Sequence, residues 1–486
     1  MKLSNDAIER VVGDFHGSDL GDPRRSRRLT RIVTELAAQP WASIPDAMGS
    51  VAALEAAYRF INSRAVSFEA LHGSHVKAAV ERCRAAEEVL VVHDTTTCEF
   101  AHAEPSEVGY LPTGAAGFQL HIALAIDATQ WRRPLGVVSV EVLSRAKRSG
   151  RGSRKRKVSG AETSKWKDRE SARWWRGVEK ASAALDGVPH IHVADREGDS
   201  YELLGAMRTA NLRFVVRNKH DRRARDPDST DPKWSTMREL AKQAEGSLER
   251  DVPLAARKRS STPREDSTHP PRKARLAHLR FSATTVELRR PRYLGDPLPE
   301  TLRLNLVHVL EVDPPAGERP VEWTLITTER VDTPEQVARI VDIYRTRWTI
   351  EEFNKALKTG CLYEKRQFES RGALLVILAL SLPIACELLW LRSRARTEPN
   401  APATEVVSPT QIDVLRAMGG RKLSAAPSVR EILLAIAELG GHQRSNGEPG
   451  WLILNRGLRK VHDWEDGWRA ALAQMTTRPP ERSDLS

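Results

Sequence analysis

The sequence predicts an α/β protein with helical ends, and three observations lead there. Two apolar runs of strand length, Glu88-Val-Leu-Val-Val-His-Asp94 and His190-Ile-His-Val-Ala-Asp195, each close on an acid. Strand-like runs at 119–127 and 134–142 follow the first of them. The first 85 residues and the last 60 or so read instead as helices, with apolar residues three and four apart.

Residues 6 to about 85 hold helical stretches at 52–61 and 67–81 that lack glycine and proline. Leu20-Gly-Asp-Pro-Arg-Arg opens a helix at Asp22, with Pro23 in its first position. Arg24, Arg25, Arg27 and Arg28 then crowd two turns, a face suited either to phosphate or to plain solvation. After the three strands come a helix over 163–185, the strand ending at Asp195, a helix over 200–210 and a strand over 212–217. Asp199 is the expected cap of the helix after Asp195.

Three strands followed by helix–strand–helix–strand is the order of a ribonuclease-H-like sheet. In that fold the first and fourth strands are neighbours, so Asp94 and Asp195 can meet. Residues 218–320 are basic and proline-rich between β-like runs, and read as an inserted all-β subdomain. Trp323-Thr-Leu-Ile-Thr-Thr returns as a strand, and a helix starts near Thr333. The expected organisation is a helical domain over 1–85, a catalytic domain over 86–393, a connector over 394–428 and a helical region over 429–486.

Lys and Arg number 76 against 64 Asp and Glu, a net charge of +12, which favours a polyanionic partner. The four cysteines are scattered, with no zinc-like spacing, and fit a reducing cytoplasm. The first 14 residues lack the apolar core of a signal peptide. The most apolar run, 373–391, is interrupted by Ser381, Pro383 and Glu387, and reads as a buried core helix kinked or broken near Pro383. No membrane partner is expected.

The segment from Tyr344 to Lys358 is the most informative. At about 100° per residue, Tyr344, Arg347, Glu351, Lys355 and Lys358 share an arc of roughly 80°. Ile343, Ile350, Phe353 and Leu357 take the other side. A carboxylate among cations suits metal and phosphate, although Glu–Lys spacing of this kind is also ordinary on helix surfaces. Asp94, Asp195 and Glu351 come from separate elements, as converging ligands of one site must. Glu352 lies about 100° from Glu351 and off the stripe. Two or three carboxylates with water and phosphate suit Mg²⁺ or Mn²⁺. His93 reads as a neighbour in the sheet.

Tyr344, Arg347, Glu351 and Lys358 are separated by two, three and six residues, which resembles the YREK signature of the IS-four family of bacterial DDE transposases. Leu20-Gly-Asp-Pro-Arg-Arg, Ala57-Tyr-Arg-Phe-Ile, Asp94-Thr-Thr, Asp195-Arg-Glu, Phe214-Val-Val-Arg and Ala435-Ile-Ala-Glu-Leu-Gly-Gly are similar to segments of that family, in the same order. The resemblance implies a cut-and-paste transposase. Asp94, Asp195 and Glu351 would hold two Mg²⁺ ions. Tyr344, Arg347 and Lys358 would hold the end phosphate and flipped-base region, with Lys355 close by. Trp323 would stack on the flipped base, Arg217 would touch backbone phosphate, and Arg25, Arg28 and Arg59 would help read the terminal inverted repeat. The partners implied are transposon-end DNA, target DNA and a second copy of the chain, paired through the C-terminal helices in a nucleoid-associated synaptic complex. Two departures stand out. Eight of the thirteen residues 145–157 are Lys or Arg where the resembled transposase is acidic, and residues 221–270 match poorly.

Overall fold

The computed structural model describes residues 5–129, 133–145, 172–230, 233–257, 270–295, 297–443 and 447–477. Apart from Arg145, the basic stretch 145–157 lies outside the described residues, as do the first residues of the helix expected from 163. The chain divides into two compact units. The first comprises Met1–Glu88, Thr95–Arg148 and Thr349–Ser486, and the second Val89–Asp94 and Ser149–Trp348.

The strands are β1 Val89–Glu99, β2 Gly117–Asp127, β3 Pro134–Leu143, β4 His190–Ala194, β5 Phe214–Arg217, β6 Arg223–Arg225, β7 Ser235–Thr236, β8 Gly246–Leu254, β9 Arg275–Arg289, β10 Thr301–Glu311 and β11 Glu322–Thr327. The helices Arg173–Ala184 and Tyr201–Thr209 flank β4, so the expected alternation of helix and strand is present. β1 does not stop at Asp94. The β-branched Thr95, Thr96 and Thr97 carry it on to Glu99, and its burial gives way to partial exposure over Asp94, Thr95 and Thr96.

In the first unit, Asp22 caps the helix Pro23–Ala38 by accepting the Arg24 N–H at 2.8 Å, with Pro23 at its start. Gly21 precedes it at φ 67°, a conformation that favours glycine. The helices Val51–Ile61 and Phe68–Arg84 follow, each capped by a serine. A buried network ties the amino-terminal segment down. Asp14 lies 2.6 Å from His75 Nδ1 and 2.6 Å from Arg82, and the Val137 N–H donates to His75 Nε2 at 3.0 Å. Burial pushes the Asp14 carboxyl up, but His75 and Arg82 outweigh it and hold the carboxyl below its ordinary value. β2 and β3 pair antiparallel.

The helix Arg371–Thr397 continues through Pro383 rather than breaking there. It is long and apolar enough to cross a membrane by length and composition, yet 83% of its most apolar window is buried inside the protein. Within the segment expected to be a connector, Ser408 caps a ten-residue helix, Pro409–Met418, that buries Ile412, Val414 and Leu415. The last two helices, Val429–Leu439 and Trp451–Thr477, pass close together. A Cβ on Gly457 would stand 1.9 Å from the Ile436 carbonyl, and one on Gly440 would stand 2.0 Å from that of Ile453.

In the second unit the strand order is β1-β4-β5-β11-β10-β9-β6-β7, with β8 on β9. β4 runs parallel to both β1 and β5, whereas β11, β10 and β9 are joined antiparallel. The inserted segment is not purely β. The helix Met237–Gln243 interrupts it, set by a reciprocal cap between Thr236 and Glu239 and anchored by buried Met237 and Ala241. Trp174, Tyr201, Phe214 and Leu288 belong to one core under these strands.

Candidate active site and nucleic-acid surfaces

The register of β1 and β4 brings the two aspartates to one level. Val92 pairs with Val193, and two residues further along each chain stand Asp94 and Asp195. Neighbouring strands lie about 4.8 Å apart, so two partly exposed carboxylates emerge side by side from a buried apolar sheet. Asp195 shapes its own turn, accepting the Glu197 N–H at 2.8 Å. Below this pair, His93 Nε2 lies 2.9 Å from His192 Nδ1, and Ser182 Oγ lies 2.9 Å from His192 Nε2. Burial, then the neighbouring His93 and His190, hold His192 well below its ordinary value, so it is neutral and bridges as donor and acceptor. His93 is thus a sheet neighbour. The supporting His192 and Ser182 could have been suspected only from the alternation of His190 and His192.

Asp199 is not the helix cap. Ser200 caps Tyr201–Thr209. Asp199 is buried, accepts from the N–H groups of Lys219 and His220 at 2.6 and 2.9 Å, and pairs with Arg222 at 2.6 Å. A carboxylate this buried needs charged and backbone donors, which a helix start alone does not supply.

The segment expected as one helix from Tyr344 to Lys358 is three pieces. The helix Pro334–Thr346 ends at Arg347, a second runs Trp348–Lys355, and Ala356–Gly360 is a π turn. A single helical wheel therefore does not apply across it, and a π turn often marks a functional site. Ile343, Ile350, Phe353 and Leu357 are buried as expected. Tyr344 is not on a polar face. It is 9% exposed, its ring 5.4 Å from Trp323.

Tyr344 and Arg347 belong to the second unit, and Glu351, Lys355 and Lys358 to the first. In the first unit Glu352 is committed to Arg392 at 2.5 Å and to Lys355 at 3.1 Å. Glu352 thus braces the fold. Lys358 donates to the Thr97 carbonyl and lies 3.4 Å from Glu364. Among the described residues, no three His, Cys, Asp or Glu side chains gather closely enough to hold a metal ion. Asp94 and Asp195, two hard oxygen donors at one level of the sheet, fit a divalent cation in donor type.

Two cavities are lined by arginines. In the first unit Arg24, Arg25, Arg28 and Arg59 surround about 250 Å³ over Ala56 and Phe60. Arg25 donates to the Leu20 carbonyl at 2.7 Å, and among the described residues none of the four pairs with a carboxylate. The sequence singled out Arg25, Arg28 and Arg59. Arg24 joins them, while Arg27 does not line the cavity. In the second unit Arg217, at the end of β5, and Trp323, in β11, line a cavity of about 420 Å³. Residues 11–66 match the family model described as transposase DNA-binding, and residues 178–382 match that of the transposase DDE domain. The chain carries the domains of a DDE transposase. The first arginine cavity falls within the DNA-binding match. Asp195, Arg217, Trp323, Tyr344, Arg347, Glu351, Lys355 and Lys358 fall within the DDE match. Asp94 precedes it, so its assignment rests on the pairing of β1 with β4.

Proposed function

We propose that this DNA transposase is a cut-and-paste enzyme of the IS-four kind. The observation that carries the reading is the shared level of Asp94 and Asp195 on adjacent parallel strands within a basic, DNA-binding chain. Asp94, Asp195 and Glu351 would hold two Mg²⁺ ions, with Mn²⁺ able to substitute. Bound there, the metal pair supplies an activated attacking oxygen and neutralises charge on the leaving oxygen.

The protein's own residues bind and orient the DNA. Arg24, Arg25, Arg28 and Arg59 take the terminal repeat. Arg217, Arg347, Lys355 and Lys358 take phosphates, and Trp323, braced by Tyr344, offers its face to an unstacked base. In this reaction water cleaves the transposon end and the freed 3′ hydroxyl attacks the opposite strand to form a hairpin. The hairpin is reopened, and the same hydroxyl joins target DNA. The 1–85, 86–393 and 429–486 regions serve end binding, catalysis and pairing of two copies.

Product mapping on a donor carrying the DNA that flanks the gene on both sides tests this, with a target plasmid present. Hairpinned ends and joined target are expected. Breaks without hairpins or joining would instead make the chain a metal-dependent nuclease. DNA binding without breaks would make it a non-catalytic derivative.

A further inference from the structure

Arg257 and Arg272 face each other across a β-bridge, joined by backbone hydrogen bonds of 2.8 and 3.0 Å. Like charges directly opposite one another destabilise a β pair. Among the described residues their guanidinium groups donate to carbonyl oxygens: Arg257 to Pro270 at 3.4 Å and Arg272 to Ala255 at 3.1 Å. Among the described residues neither has an acidic partner within ion-pair distance. The acids nearby are already used. Glu318 pairs with Arg275 at 3.0 Å, and Glu322 pairs with His308 at 3.2 Å. The cavity that Arg257 and Arg272 share with Arg217 and Trp323 is thus lined by five arginines against two glutamates. Burial and the adjacent Arg257 and Arg275 push the Arg272 guanidinium below its ordinary value, outweighing the opposite pull of Glu318.

An anion between the two arginines converts their repulsion into charge-assisted hydrogen bonds. At about 420 Å³ the cavity has room for more than a bare phosphate, and the aromatic face of Trp323 suits a base. We propose that Arg257 and Arg272 form a phosphate clamp on a DNA strand, which places a nucleic-acid contact in the inserted segment. The clamp rests on the DNA-binding role proposed above.

The test is fluorescence anisotropy with a labelled duplex bearing a single-stranded 3′ extension, titrated from about 50 to 250 mM salt with the full chain. The Arg257→Gln/Arg272→Gln variant is expected to bind about tenfold more weakly near 100 mM salt. Its plot of log affinity against log salt should be shallower by about one. The Arg257→Lys/Arg272→Lys variant should recover the parental slope, because charge rather than shape sets it. Parental affinity and slope in the Gln variant, with the parent binding normally, overturn the clamp and leave the DNA-binding role standing. Failure of the Lys variant to recover the slope also overturns the clamp. A parent that binds no DNA overturns both.

Discussion

Arg392 donates to the carboxylate of Glu352, the residue beside Glu351, and both side chains are nearly buried, at 10% and 12% exposure. The Arg392 guanidinium also lies 5.2 Å from the Trp451 ring, so the turn carrying Glu351 is tied to the start of the last helix. Removing one partner of a buried pair strands the other's charge. Arg392→Met is therefore expected to lower stability by about 3 kcal/mol in urea unfolding.

The arginine cavity of the first unit makes a second prediction. Arg28→Ala and Arg59→Ala each remove a cation that has no ion-pair partner among the described residues. Each should weaken binding of end DNA several-fold, and the salt dependence should become shallower by about one for each phosphate no longer neutralised. Thermal melting should stay near the parent's, because no ion pair is broken. A titration of end DNA against salt for each variant checks this.

His192 gives a pH prediction. Burial first, then His93 and His190, hold its folded value well below 6.5. The unfolded chain takes up a proton below about pH 6.5 that the folded chain refuses. Stability should be level above that pH and fall as the pH drops through it, by up to about 1.4 kcal/mol per unit for this one group. His192→Gln, which keeps a donor and an acceptor, should flatten that part of the curve. Denaturant midpoints between pH 7.5 and about 5 read it out.

The parts of the fold legible in the sequence are those set by local pattern. Apolar runs marked β1 through β5, and Asp22 with Pro23 marked a helix start. The neighbouring of β1 and β4 followed from their order along the chain. What escaped depends on partners far away in sequence. Asp199 looked like a cap because its real partners, Lys219, His220 and Arg222, lie some twenty residues on. Tyr344 looked polar because a wheel does not know that Trp323 stands against it. The break at Arg347 and the π turn after Lys355 lie outside a regular 100° step. At Pro383 the expected buried helix is present and runs on past the proline without a break.

In the proposed reaction Asp94, Asp195 and Glu351 perform one metal-dependent cleavage of DNA. The most direct measurement is cleavage of a donor bearing the DNA that flanks the gene, in Mg²⁺, by the parent and by Asp94→Asn, Asp195→Asn and Glu351→Gln, with end binding measured in parallel. Each variant is expected to bind the ends like the parent and to cut at least about a thousandfold more slowly, an activation penalty of about 4 kcal/mol. A variant of any of the three that cuts at the parental rate would contradict the proposed reaction.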